Sequence, residues 1–270
     1  MKHFDPARPL AVIIGAVVAG IVAGLAASVL LTFTAEPVID RAIALEESHH
    51  HTEEPNAAVE PELVSRGEQK GFGRFAAYGL GGGAYGVLFA VAFLALGRRR
   101  RADAASRPED AFRRALRAGA FLATAFTVLP FVKYPPNPPG VGDPATLTER
   151  QWKYLALIFL SLVVLAGAAR LSTRLRKRGW LDDQRLLATG LAVVVPLGIV
   201  CAVLPPFSDA VEVPANLLWQ FRIASLGGNL LLWSVLTVGF GAVAVRRERA
   251  LAGPVPDVAA GASLRPAATS

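Results

Sequence analysis

Three consecutive histidines flanked by carboxylates, in Glu46-Glu47-Ser48-His49-His50-His51-Thr52-Glu53-Glu54, are the strongest chemical signal in this 270-residue chain. They include three of its four histidines. Neutral imidazole and carboxylate together ligate borderline and harder divalent ions, so the tract points to metal capture. The same composition also suits a solvated linker. A second set of candidates is polar but uncharged. Gln69, Gln151 and Gln220 each stand beside aromatic and basic residues where an apolar run begins, and Asn229 lies about two turns deeper in the last run. Amides at such places can line an ion pathway, and in membrane helices they also hydrogen-bond to neighbouring helices.

Other chemistries lack their parts. No Gly-x-x-x-x-Gly-Lys-Ser/Thr stretch is present, so the chain has no recognisable phosphate cradle for its own ATPase. No His-Glu-x-x-His motif occurs, and Cys201 is the sole cysteine, which excludes an intramolecular disulfide. One Met and one Cys make no soft-ligand relay of the kind copper(I) would favour. The reading is therefore not an enzyme, with no stably bound cofactor.

The elements that must position these groups are membrane helices. With 53% hydrophobic residues, the chain is too apolar and too segmented for one soluble domain. Uncharged runs at 10–33, 75–97, 186–208 and 223–245 reach the roughly 20 residues needed to span a bilayer as helix. Two shorter runs, 118–132 and 154–169, are flanked by Arg113, Arg114, Arg117, Lys133, Lys153 and Arg170, which can snorkel to headgroups. The expectation is an all-α polytopic membrane protein with six transmembrane helices, at about 10–33, 75–97, 113–132, 153–170, 186–206 and 223–245. These make a membrane domain over 10–250, preceded by a cytoplasmic tail at 1–9 and followed by a disordered cytoplasmic tail at 251–270. The first run exceeds the roughly 7–15 apolar residues of a cleavable signal, so it reads as an uncleaved anchor.

Charge sets the orientation. Of 28 lysines and arginines, 20 fall in the termini and in 98–117 and 170–185, against 8 in the three opposing connections. That bias places both termini in the cytoplasm, and the histidine-bearing loop 34–74 outside. Lipid headgroups account for the arginine runs, so the net charge of +7 needs no nucleic-acid partner.

The outer connections share a pattern that points to three parallel-oriented hairpins, each outgoing helix ending near proline (Pro37, Pro130, Pro205) and each returning helix starting near glutamine. Gly20-x-x-x-Gly24 and Gly82-x-x-x-Gly86 suit close helix packing, and their two faces are expected to meet. The proline run Pro135-Pro136-Asn137-Pro138-Pro139 is stiff and can wall a vestibule. Pro196 is expected to kink the fifth span.

In this order the features resemble the cobalt transporter subunit family CbtA: a first helix ending in Glu36-Pro37, a His- and Glu-rich outer loop, and a glycine-rich second helix beginning near Phe75. Proline-rich connections and a last helix with Ser225-Leu226, Asn229 and Trp233 complete the likeness. The resemblance implies a multi-pass protein of the inner (plasma) membrane with five to six spans, working in cobalt uptake for cobalamin supply. It implies Co2+ as cargo, with Ni2+ as an alternative, and a small one-span partner, CbtB, with its own histidines; membrane lipid is the other partner. On it, His49, His50 and His51 are the metal-capturing residues, with Glu46, Glu47, Glu53 and Glu54 as helpers. Three histidines make a shorter tract than the family's longer His and acid runs. A non-transporting metal-sensing or assembly subunit is the alternative reading.

Overall fold

A polypeptide crossing lipid must satisfy its backbone hydrogen bonds within itself, and this sequence does so entirely with helices. The computed structural model describes residues 7–53, 69–98, 108–139, 141–142, 144–207 and 213–252, and among these there is no strand. The helices are α1 (Ala7–Thr34), α2 (Glu36–Glu53), α3 (Arg74–Arg98), α4 (Pro108–Ala123), α5 (Leu129–Lys133), α6 (Leu147–Lys177), α7 (Asp182–Val203) and α8 (Ala215–Ala252). A π-helical turn at Thr124–Val128 joins α4 to α5 into one span, so six helical segments are long and apolar enough to cross a membrane. The six-span, all-α expectation holds.

The treatment of 34–74 as a single loop is corrected. Its first half is α2, whose backbone carries His49, His50 and His51 in the last turns. Glu36 sits in the first turn, where a carboxylate complements the helix dipole, and Pro37 occupies a position where its missing N–H costs nothing. The segment then gains tertiary support, because Val38 and Ala42, one turn apart, are buried with Leu217 of α8. The side chains of 46–53 and all of Glu54 lie outside the described residues.

The third and fourth spans are also longer than their apolar runs. Glu109 and Asp110 open α4, and Arg174, Arg176 and Lys177 close α6, each sign opposing the dipole at its end. Charged flanks that break a hydropathy run thus extend the helix. The fifth span continues through Pro196 as one helix, Asp182–Val203.

The core forms where α1 meets α3. A Cβ placed on Gly20 would overlap the Gly82 carbonyl, one on Gly24 the Tyr78 carbonyl, and one on Gly86 the Ala16 carbonyl. The two glycine faces meet as expected, backbone against backbone. The Glu36–Arg74 ion pair, at 2.8 Å and largely buried, fastens one end of this pair. α8 packs against both α1 and α4, and α7 packs against α6. Of the three expected hairpins, only the first has its two spans closely paired; α7 and α8 each find their principal partners elsewhere.

Gly82→Ala should lower stability by about 1–3 kcal/mol, since neither backbone can yield to the added methyl. Gly81→Ala, with open space around it, should be neutral or gain up to about 1 kcal/mol from helix propensity. Thermal unfolding of both variants in detergent checks this, and equal melting temperatures would refute the backbone contact.

Candidate functional site

A cavity of about 620 Å3 opens where α4–α5, α6 and α8 meet, beneath the proline-rich connection. Its position follows from Pro130. Proline has no N–H to give the carbonyl four residues back, and the preceding turn widens, so that the Leu129 N–H bonds to the Thr124 carbonyl five residues earlier. This π-turn carries Phe126 and Thr127, which both line the cavity.

The roof is held from several helices. Pro135 to Pro139 cross above the cavity, and Arg222 of α8 reaches them through Nε to the Pro136 carbonyl (3.3 Å) and Nη2 to Asn137 Oδ1 (3.1 Å). Tyr134 stacks on Phe207 with ring centroids 4.3 Å apart, and its hydroxyl donates to the Pro205 carbonyl at 2.8 Å. Burial pushes the Tyr134 phenol above its ordinary pKa, an effect that Lys153 opposes and Cys201 adds to, so it stays a donor at neutral pH. Lys133 Nζ donates to the Cys201 carbonyl at 2.7 Å, which ties the end of α5 to α7. The proline run thus lines one side of the cavity.

Below the roof the lining is amide, hydroxyl and aromatic. Gln151 and Tyr154 come from α6, and Ser225 and Asn229 from α8. Asn229 Nδ2 donates to the Ser225 carbonyl one turn back at 2.9 Å. Thr127 is buried and accepts a hydrogen bond from Trp233 Nε1 at 3.0 Å. Trp233 in turn meets Tyr85 (5.1 Å between centroids) and Phe126 (6.4 Å), so the cavity ends on an aromatic cluster joining the second, third and sixth spans. Further along α8, Leu236 and Phe240 pack with Phe89 in the core.

Among the described residues, the lining holds one charged group, Arg150, and no carboxylate or imidazole. Among the described residues no three His, Cys, Asp or Glu side chains gather as a metal site. Such a surface can pass a solvated ion or polar solute but offers no strong ligand set.

The amides expected at a pathway divide. Gln151 and Asn229 border the same cavity. Gln220 does not: it accepts from Arg41 Nη2 at 2.9 Å in a separate groove between α1, α2 and α8. The side chain of Gln69 lies outside the described residues. Sequence reasoning passed over Tyr134, Arg150 and Arg222. Only Tyr134 adjoins the stiff proline run in sequence; Arg222 comes to it through tertiary packing.

Six apolar spans and a roofed, polar-lined cavity at one end define a multi-pass membrane protein. The chain belongs to the CbtA family: the family model, described as a probable cobalt transporter subunit, matches residues 10–245. No curated protein and no solved structure gives a significant match.

Thr127→Val should cost about 1–3 kcal/mol, because the buried indole N–H of Trp233 loses its acceptor while the shape is kept. Adding Trp233→Phe to it should cost less than the two single changes combined, since no donor is then stranded. A double-mutant cycle of unfolding free energies in detergent reads the difference, and strict additivity would remove the bond from the account.

Proposed function

We propose that this chain is the membrane-embedded subunit that admits divalent cobalt, with the His/Glu tract gathering the ion and the roofed cavity receiving it. The observation that carries this reading is that Gln151 and Asn229 border one cavity of about 620 Å3. Six waters at about 30 Å3 each occupy roughly 180 Å3, so a hydrated ion fits without losing its shell. The 20-to-8 distribution of basic residues supports placing the roof and the tract outside and both termini inside.

A tract of imidazoles and carboxylates gathers divalent ions and releases them again, which is what delivery needs. Selection of cobalt over nickel, copper or zinc does not come from such nitrogen and oxygen ligands, which bind those ions as well or better. A small one-span CbtB-like subunit with its own histidines would supply further ligands. A non-transporting metal-sensing or assembly subunit is the second reading, favoured by a described cavity lining that has no carboxylate or imidazole to draw a cation in.

Replacing His49, His50 and His51 together with alanine should weaken uptake at scarce metal and spare it at excess metal. Acidification to pH 5 should reproduce the defect in the wild type, since imidazole with a pKa of about 6.5 is then protonated and cannot ligate. Radiolabelled cobalt uptake into vesicles, with and without a partner subunit, measures both; uptake indifferent to the alanines at every concentration makes the tract a linker.

Asn229→Leu should lower maximal flux per folded molecule, whereas Gln220→Leu, outside the cavity, should leave flux unchanged and cost only its bond to Arg41, about 0.6–2 kcal/mol. Flux and thermal stability taken on the same preparations separate the readings. Full flux with reduced stability in Asn229→Leu would set the cavity aside as the route.

A further inference from the structure

We infer that the arginine-rich end of the bundle carries a binding groove for the phosphate of an anionic phospholipid, between the start of α4 and the end of α8. The groove has a volume of about 390 Å3 and is flanked by Arg113, Arg246 and Arg249, with Glu109 as the single carboxylate among its described lining residues. Helical spacing builds it: Glu109 and Arg113 are four apart on α4, and Arg246 and Arg249 three apart on α8, so each pair shares a face. Close packing holds the two faces together, since a Cβ on Gly241 would run into the Phe112 ring.

Charge and shape then name the ligand. Arg249 Nη2 stands 3.7 Å from Glu109 Oε1 with both side chains more than half exposed, a loose pair that leaves the lining with two positive charges in excess. The surrounding helix ends, 109–117 and 246–249, hold six arginines against three carboxylates, so the local field stays positive. Guanidinium matches phosphate bidentately, in a planar geometry that an ammonium lacks. Phe112 and Val245 give the groove an apolar floor, and Leu116 and Val243, both exposed, continue it along the lipid-facing side of the spans. A soluble phosphate has no use for that extension, whereas acyl chains do. A lipid held there bridges the third and sixth spans, the two that carry Thr127 and Trp233.

The test uses the full-length protein in neutral detergent, titrated with short-chain phosphatidylglycerol and, separately, phosphatidylcholine. Phosphatidylglycerol should bind more tightly, and the Arg113→Gln, Arg246→Gln, Arg249→Gln triple variant should weaken it roughly a hundredfold, about fivefold for each arginine. The single Arg246→Gln change should give that fivefold loss even where the triple variant folds poorly. Replacing Arg174, Arg176 and Lys177 at the end of α6 with glutamine should leave affinity unchanged. Equal binding of the two lipids, undiminished affinity in Arg246→Gln, or an equal loss in the α6 variant overturns the site. Displacement of the lipid by sn-glycerol 3-phosphate at similar affinity overturns the lipid as its occupant; failure to displace supports it.

Discussion

Lipid gives two apolar helices no hydrophobic reason to associate, so a membrane bundle must be held by packing, by hydrogen bonds and by the close approach of small residues. Here that approach is the meeting of Gly20 and Gly24 with Tyr78, Gly82 and Gly86. Everything else is arranged around it. With α1 and α3 in backbone contact, Ala16, Ala23 and Ala27 on one and Phe89 and Phe93 on the other form a surface that α8 covers with Leu232, Leu236 and Phe240. α8 then presents Trp233 to Tyr85 and Phe126, drawing the third span in. Without the glycines the helices would stand further apart, and Trp233 would lose one of its aromatic neighbours.

The fourth and fifth spans are held differently. α7 has only Leu197 fully enclosed and turns Leu186, Val194 and Val203 outward to lipid, with α6 as its main neighbour. The molecule is thus a tight four-span core with a looser two-span pair beside it. The cavity lies on the seam between them, walled by α4–α5 and α8 from the core and by α6 from the pair. A seam between two bodies of unequal packing is a natural place for space to persist, because neither side can collapse into it without breaking its own contacts. The roof crosses this seam: Lys133, Tyr134 and Arg222 tie the proline run to both sides.

Legibility in the sequence followed the physics of each feature. The spans could be read because the bilayer imposes a length, and the glycine faces because a four-residue spacing fixes a helix face whatever the partner. α2 could not be read as a helix, since its composition is that of a polar connection; what supports it is the patch of Val38 and Ala42 against Leu217, separated by well over a hundred residues of sequence. The π-turn before Pro130 has no local signature beyond the proline itself. The glutamines were chosen for their place at the rim and Asn229 for its depth below it; Gln151 and Asn229 border one cavity, but the rim rule also took in Gln220, whose partner Arg41 belongs to the unforeseen helix. Which polar groups share a cavity is a tertiary fact, and composition at a helix end does not contain it.

On the proposed reading, metal chemistry in this chain is divided between two places. Imidazoles and carboxylates, the groups that bind divalent ions well, stand in the sequence of α2, while the described lining of the cavity offers amides, hydroxyls and aromatic faces around one arginine. For a resident metal site this would be a defect. For passage it is a requirement, because an ion bound as tightly in the membrane as at the point of capture would not leave. The same division limits what the chain does alone. Weak neutral ligands in the cavity discriminate little between cobalt, nickel and zinc, and the tract favours cobalt no more than they do. On the proposed reading, the preference for cobalt has to be imposed by geometry shared with a partner subunit, at the end of the bundle where α2, the roof and the start of α8 come together.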